Sequence, residues 1–524
     1  MNRRELIRLA ALSAGLQTLS PKAYSQIGFT DNPFQLGIAS GSPTPDGVVL
    51  WTRLLTDGGA GFGSSAIEVT WQVAHDEAFT NMALQGTSTA LRDLAYSVHV
   101  DLRGLQSDRW YFYRFIVGQG ASAVMSDVGR TRTAPAWDAR PDRLRFAFAS
   151  CQRWEHGHYA AYRQMVADNP DLIVFLGDYI YEYASPQKMP AEFVRSHNLR
   201  KAVNLADYRD KYALHKSDPL LQAAHRAAPW LLTWDDHEVQ NDYASDRNED
   251  LSPPLEFLAR RTAAYQAFYE HMPLPARALA RGLAGLGHND GMRINQRVRW
   301  GGLANFHLLD CRQYRDPQVC AKPGRGGSNL VKKADCAELQ NPNRSMLGKS
   351  QETWLSEGLA IDDKQDGASQ PWSVIAQSTL LASVNEPAGR EPRVWTDGWA
   401  GYPLARQRLL DGLRARPGLH PVILSGDVHL NVVANVEGVA TEFCGTSLTS
   451  RTTWHPEREP SFYADNPSIQ YINSDKRGYA LAEVTPRLWT TALMGVHDVR
   501  NLHSPTTPMA KFAVERGQKT PAKM

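Results

Sequence analysis

Four stretches of this chain run apolar and then stop on a side chain able to hold a cation. "LRFAFASC" (144–151) ends at Cys151, and "DLIVFLGD" (171–178) ends at Asp178, with the phenol of Tyr181 three residues on. "PWLLTWDDHE" (229–238) supplies Asp235, Asp236, His237 and Glu238, and "PVILSGDVH" (421–429) supplies Asp427 and His429. Each signal is weak alone. A cysteine after an apolar strand is more often a small buried hydrophobe, and acidic clusters of this kind also cap helices. At the carboxyl ends of buried strands, where the ligands of α/β sites gather, the four together are a strong signal of a metal centre. Tyr179, Tyr181 and Tyr183 alternate onto one face if the strand continues; of the three, Tyr181 alone has ligand spacing.

Two arginines are candidates for holding an anion. The helix predicted between the prolines of "PPLEFLARRTAAYQAFYEHMP" (253–273) places Arg261 in a stripe with Leu258, Tyr265 and Phe268. A charge there is costly unless paired. It either reaches a phosphate with its bidentate fork or sits in a structural ion pair. Arg312, just past the strand end at Asp310, is the second candidate. Cys320 and Cys336 lie in a polar insertion, where a disulfide would stabilise by about 3 kcal/mol through loop closure. Cys311 and Cys444 read as unpaired core thiols.

The elements that must position these groups fall into two textures. Residues 30–135 read as an all-β sandwich of strands such as "GVVLWTRL", "IEVTWQVA" and "RWYFYRFIV". Leu105 stands six residues before Tyr111, the spacing of a fibronectin-like tyrosine corner. "APAWDARPD" (134–142) marks the boundary. From 143 to 515, doubly buried strands alternate with helical stretches, as in an α/β/α layered domain. Stretches 317–345 and 453–476 read as surface insertions, and 516–524 as a disordered tail.

The N-terminus, "MNRRELIRLAALSAGLQTLSPKAYSQ", carries Arg3 and Arg4, a short apolar run and the small-x-small site Ala23-Tyr24-Ser25. It reads as a twin-arginine signal peptide over 1–25, which implies passage through the twin-arginine export machinery to the periplasm or beyond. The apolar run is too short to span a membrane. At 524 residues, 42% hydrophobic, 21% charged and a formal charge of +2, the chain shows no nucleic-acid footprint.

The order G-D-x-x-Y, then an acid-rich x-x-H-E, then G-x-x-H resembles the calcineurin-like metallophosphoesterases, purple acid phosphatases included. In that arrangement the aspartate bridges two metals and the phenol binds one of them; phenolate is a hard donor suited to a ferric ion. This chain departs from the usual pattern at three places. Cys151 stands for an imidazole, Asp236 for an asparagine, and Asp427 for the first histidine of G-H-x-H. These exchanges enrich the site in oxygen, which favours calcium over zinc.

With "FASCQ", "LGDYIYEY", "WDDHEVQNDYA", "LLDCRQYRD", "SQETWL", "SGDVH" and "EFCGTSLTS", the chain resembles the PhoD-like alkaline phosphatases and phosphodiesterases along nearly its whole mature length. The resemblance implies a fibronectin-like sandwich followed by a metallophosphoesterase domain with two central mixed sheets, holding ferric iron (Fe3+) and calcium (Ca2+). It implies Cys151, Asp178, Tyr181 and His429 around iron, and Asp178, Asp236 and Asp427 with Asn241 around calcium. His237 would touch the phosphate or the leaving oxygen, and Arg261 would hold the phosphate. The expected activity is hydrolysis of small or polymeric phosphate mono- and diesters by metal-hydroxide attack, for phosphate acquisition. The alternatives are a phospholipase D-like or nucleotide-directed phosphodiesterase on the same site, or a secreted non-catalytic binding protein.

Overall fold

The computed structural model describes residues 32–524 apart from 56–61, 64–65, 280–291, 365–369, 386–392 and 455. The twin-arginine stretch and its cleavage site, 1–25, lie outside the described residues.

Two large mixed sheets stack face to face, and helices cover their outer faces. The apolar strands carry no polar alternation because both of their faces are buried. Leu144–Ala149, Leu172–Leu176 and Trp230–Thr233 run parallel at the heart of a ten-stranded sheet. Ala304–Leu308, Trp372–Ala376, His420–Ser425 and Ala440–Cys444 run parallel in a seven-stranded one. Phe146, Phe148, Val174 and Leu176 of the first sheet meet Phe306, Val374, Val422 and Phe443 of the second in a continuous core. The rings of Phe146 and Phe306 pack edge to face at 5.3 Å. Helices Ala161–Ala167, Leu205–Lys216 and Pro254–His271 cover one outer face, and Lys349–Asp363 and Pro403–Arg414 the other. The carboxyl ends of both parallel sets come together at one edge. There the Thr233 hydroxyl donates to the Leu309 carbonyl at 2.7 Å, stitching sheet to sheet.

The N-terminal sandwich has one sheet of its own, built on Met82–Leu91, Ala66–Ala74 and Trp110–Val117. The Tyr111 hydroxyl accepts the Gln106 N–H at 2.9 Å, closing the tyrosine corner. The opposite sheet, Ile38–Thr44, Gly47–Arg53 and Ser97–Arg103, continues the ten-stranded sheet, with Gly41 opposite Trp230. A Cβ on Gly41 would fall 2.8 Å from the Trp230 carbonyl oxygen, so the joint demands glycine. The proline-rich stretch at 134–142 therefore interrupts the chain without interrupting the sheet.

Two local expectations are corrected. The tail is ordered rather than disordered: Ala522–Lys523 pairs with Thr506–Glu515, whose outer edge would otherwise leave backbone groups unpaired. Within 453–476, Ile469–Asn473 is a strand that completes the seven-stranded sheet. The polar insertion 317–345 carries a Cys320–Cys336 disulfide, while Cys311 and Cys444 are free and buried.

The helical layer and the sandwich bury an unusual set of imidazoles. His99 stacks on Tyr269 at 4.1 Å, His225 on Trp230 at 3.9 Å, and His271 on Tyr212 at 5.0 Å. Burial pushes His99 and His215 down to about 3. It also lowers His225, beside Lys216, and His271, beside Arg53. A depressed folded-state value means the stabilisation is complete above the ordinary histidine value near 6.5 and is lost as pH falls below it. Each of these groups adds a slope of about 1.4 kcal/mol per pH unit in that range. These four groups are expected to lower the urea midpoint of the full chain as pH falls from 6.5 to 5. A midpoint unchanged down to pH 5 would contradict the buried neutral imidazoles.

Candidate metal centre

At the shared edge of the two sheets the backbone turns sharply. Cys151 (φ 58°), Asp178 (57°), Asp427 (67°) and His429 (56°) all adopt the left-handed conformation. For residues with a Cβ this costs about 1–3 kcal/mol each and persists only where the surroundings enforce it. They do so here. The Cys151 N–H donates to the Gly177 carbonyl and the Gln152 N–H to that of Asp178, both at 3.0 Å. The buried Glu238 carboxylate accepts the backbone N–H groups of Asp178 (3.1 Å), Tyr179 (2.5 Å) and Asp235 (2.8 Å), pinning two strand ends together. Gly177, at φ 101°, lets the two chains approach: a Cβ there would lie 2.4 Å from the Asp235 nitrogen.

The side chains released by these turns converge. The Tyr181 hydroxyl donates to Asp178 Oδ2 at 2.9 Å and lies 3.3 Å from His429 Nε2. Ser450 Oγ is 2.7 Å from the same phenol oxygen. His429 directs Nδ1 at the Arg451 carbonyl, 2.7 Å away, which fixes the ring and leaves Nε2 as the inward donor. Donor atoms of Cys151, Asp178 and His429 lie within 4.8 Å of one another. So do those of Asp178, Asp236 and His237, and those of Asp236, Asp242 and Asp397. The groups share Asp178 and then Asp236, so they form a chain of three. Asp427 stands beside it, accepting the Thr379 hydroxyl at 2.8 Å.

This much buried acid is crowded. Burial and then the neighbouring carboxylates raise Asp178 and Asp427 well above the carboxylate range, and Asp242 to about 7. Burial and the Asp178 charge likewise raise the Cys151 thiol and the Tyr181 phenol. Against them stand three cations, one of them the buried Arg315, which bonds Asp397 at 2.7 Å. Burial opposes the charge on His237, but Asp236, Asp178 and Glu182 outweigh it and hold the imidazolium well above 6.5. Arg312, fully buried, bonds Asp235 and Asp397 and lies 3.5 Å from Asp236 and 3.8 Å from Asp427. Two guanidiniums and one imidazolium still leave the phenol, the thiol and several acids without enough positive charge. Multivalent cations among hard oxygen donors relieve that repulsion, so the donor set fits a metal cluster.

The structure thus brings together Cys151, Asp178, Tyr181, Asp236, His237 and His429, with Asp427 at their side. The apolar run ends at Leu176, so the three tyrosines do not continue the strand. Tyr179 turns back to His225, at 2.9 Å, and only Tyr181 enters the centre. Arg261 lies apart from these groups: its guanidinium donates to the Ser245 carbonyl at 2.6 Å and faces the Tyr265 ring at 5.5 Å. Asn241 gives its amide to Glu249 at 3.3 Å and its N–H to Glu182 at 2.9 Å, at the margin of the groups. Sequence reasoning passed over Asp242 and Asp397. Asp242 lies six residues after Asp236 within the motif already singled out, whereas Asp397 follows a three-residue strand, Arg393–Trp395, with no apolar run to mark it.

Comparison with known proteins identifies the family and the fold. A family model described as PhoD-like phosphatase matches residues 146–493, and one for the N-terminal domain of PhoD-like phosphatases matches 20–135. The chain is 38% identical to alkaline phosphatase D of Bacillus subtilis, over 98% of this chain and 86% of that protein. A solved structure of PhoD superposes with a TM-score of 0.84 at 38% identity, covering 96% of this chain and 93% of the other. The purple acid phosphatase PPD1 of yellow lupin shares the fold at 11% identity and a TM-score of 0.56, over 91% and 74% of the two chains.

The Gly177→Ala variant is expected to lose bound metal and to unfold at lower temperature, since neither the φ nor the space admits a methyl group. Wild-type metal content and melting temperature in that variant would show that the close approach is not needed.

Proposed function

The chain belongs to the PhoD-like phosphatase family and is a phosphoric ester hydrolase; on that premise we propose that it works outside the cytoplasm on a cluster of ferric iron and calcium. The observation carrying this reading is the meeting of phenol, thiol, imidazole and carboxylate around Tyr181 Oη. Cys151, Asp178, Tyr181 and His429 would hold the iron, because a hard phenolate favours the ferric state. Asp236, Asp242 and Asp427, with Asn241 at the margin, would hold calcium through oxygen, and Asp178 would serve both sets, while Asp397 is taken by Arg312 and Arg315. When bound, the ions supply Lewis acidity that polarises phosphate and acidifies water. Export rests on Arg3 and Arg4, and the Cys320–Cys336 disulfide suits an oxidising compartment. Release of phosphate for uptake is the role that fits such a location.

The protein's own residues then have separable tasks. The Glu182 carboxylate takes His237 Nδ1 at 2.8 Å, which fixes the ring, leaves Nε2 as the free edge and favours the protonated form. His237 gives that proton to the departing alcohol oxygen. The rings of Tyr181 and Tyr183, at 4.2 Å and 5.1 Å, hold the imidazole from the side. Arg312 stays a buried counter-ion beneath the acids, holding Asp235 and Asp397 apart.

Three variants test the assignment. Asp178→Ala is expected to lose metal and turnover together, and retained hydrolysis would remove the bridging role. His237→Gln is expected to slow alkyl phosphate esters about 10²- to 10⁴-fold but to spare p-nitrophenyl phosphate, whose leaving group needs no proton. Equal losses on both esters would contradict the acid role. The purified protein is expected to be coloured by a phenolate-to-iron absorption that Tyr181→Phe abolishes; a colourless, iron-free active enzyme would overturn the ferric assignment.

A further inference from the structure

Arg312 and Arg315 are 0% exposed and committed to carboxylates, whereas the Arg153 side chain, at the mouth of the centre, is 19% exposed. Its backbone is fixed on both sides: the N–H donates to Ser450 Oγ at 3.1 Å, and the carbonyl accepts the Thr449 hydroxyl at 2.8 Å. Its guanidinium lies over ring faces, 4.9 Å from the centre of Tyr183 and 5.5 Å from those of Tyr181 and Phe193. The two tyrosines are the rings that flank His237. Guanidinium and imidazole thus share one aromatic wall. Among the described residues the Arg153 side chain makes one hydrogen bond, from Nε to Glu155 Oε2 at 3.4 Å. Glu155 is itself buried and held. His197 Nδ1 accepts the Leu199 N–H at 2.9 Å, so Nε2 is left to donate to Glu155 Oε1 at 3.1 Å. The Val194 N–H donates to the Glu155 carbonyl at 2.7 Å, which keeps Phe193 against the wall.

We propose that Arg153 is a specificity-determining residue that holds a second phosphoryl group, carried on the retained side of the ester being cleaved. The proposal rests on the site reading given above, in which the reacting phosphate meets Tyr181 Oη and His237. Arg153 faces the phenol rings rather than their oxygens, and hydrogen-bonds none of Cys151, Asp178, Tyr181 and His429. It is therefore placed for a neighbouring group and not for the reacting one. With the backbone and Nε held, the planar fork presents its two terminal nitrogens together, the arrangement that grips two oxygens of one phosphate. The rings beneath favour the cation and support its plane. Because the guanidinium already covers those ring faces, the wall recognises an anion and not a stacked base. Arg451 adds an exposed positive charge at the same rim, only 3.6 Å from Glu192. Its N–H donates to His156 Nδ1 at 3.0 Å, and the His156 ring packs on Phe193 at 5.1 Å. Esters with a single phosphoryl group leave Arg153 without a partner; those with two satisfy it.

The test compares nitrophenol release from two esters that differ by one phosphate: thymidine 5′-(p-nitrophenyl phosphate), with and without a 3′-phosphate. The purified full chain is expected to favour the 3′-phosphorylated ester about 10-fold in kcat/KM, mostly through KM, and to lose that preference as sodium chloride is raised. Arg153→Gln is expected to bring the ratio of the two esters near one, and Arg153→Lys to restore part of it by charge alone. Inhibition gives a second readout without turnover. Thymidine 3′,5′-bisphosphate should inhibit the wild type more tightly than thymidine 5′-phosphate, a difference that Arg153→Gln removes. Equal use of the two esters by the wild type, or an unchanged ratio in Arg153→Gln, overturns the proposal. Asp178→Ala separates the two levels. If it loses both esters while Arg153→Gln keeps the ratio, the Arg153 proposal alone falls; if it cleaves both as wild type, the site reading itself falls.

Discussion

The rest of the structure depends on one electrostatic constraint: more acid is buried at this sheet edge than the protein's own cations can neutralise. Asp178, Asp235, Asp236 and Asp397 are buried there with Asp427 half-buried beside them, and Arg312, Arg315 and His237 are the positive groups set among them. Like charges at such distances in a medium of low dielectric drive protonation or cation capture. Burial raises all of these acids, but Arg312 outweighs it at Asp236 and Asp397, whereas Asp178, Asp235, Asp242 and Asp427 are raised. Arg312 is therefore a fixed counter-charge within the acid cluster.

Such crowding needs a rigid frame, and the frame is the pair of parallel strand sets. Strands buried on both faces cannot shift register without exposing an apolar row, so their carboxyl ends are fixed points. Glu238 converts two of those ends into one unit by binding three backbone N–H groups. Ser450, in the loop after Ala440–Cys444 of the other sheet, and Arg477, at the start of Arg477–Val484 in the ten-stranded sheet, tie the remaining turns. Arg477 donates to the carbonyls of His429 and Ser450 at 2.6 Å and 3.3 Å, while Ser450 reaches the Cys151 carbonyl and the Tyr181 phenol. The left-handed turns at Cys151, Asp178, Asp427 and His429 are where this rigidity becomes local strain. They aim donors inward that an extended backbone would point along the sheet.

The strand ends were legible in the sequence because uninterrupted apolar runs have few other uses and each stopped on a polar group. That pattern exposed Cys151, Asp178, Tyr181, Asp236 and His429. It could not find Asp397, which a disulfide-closed insertion brings to the site across 155 residues of chain from Asp242. Arg261 shows the limit of periodicity: helix spacing put it on the buried face, where it is, but said nothing of its partner, the Ser245 carbonyl. The tail at 516–524 was polar enough to read as unstructured, yet an open sheet edge recruits it through backbone hydrogen bonds that its composition does not reveal. The sandwich was legible as a β unit, but its fusion to the catalytic sheet through Gly41 depends on a single close contact.

The central claim is that turnover requires cations held among these acids. The most direct measurement is metal analysis of the purified chain before and after exhaustive chelation, with phosphodiester hydrolysis followed at each stage. The account predicts more than one cation per chain, loss of hydrolysis as they leave, and recovery when iron and calcium are returned. Undiminished hydrolysis by a chain shown to be free of metal would contradict it.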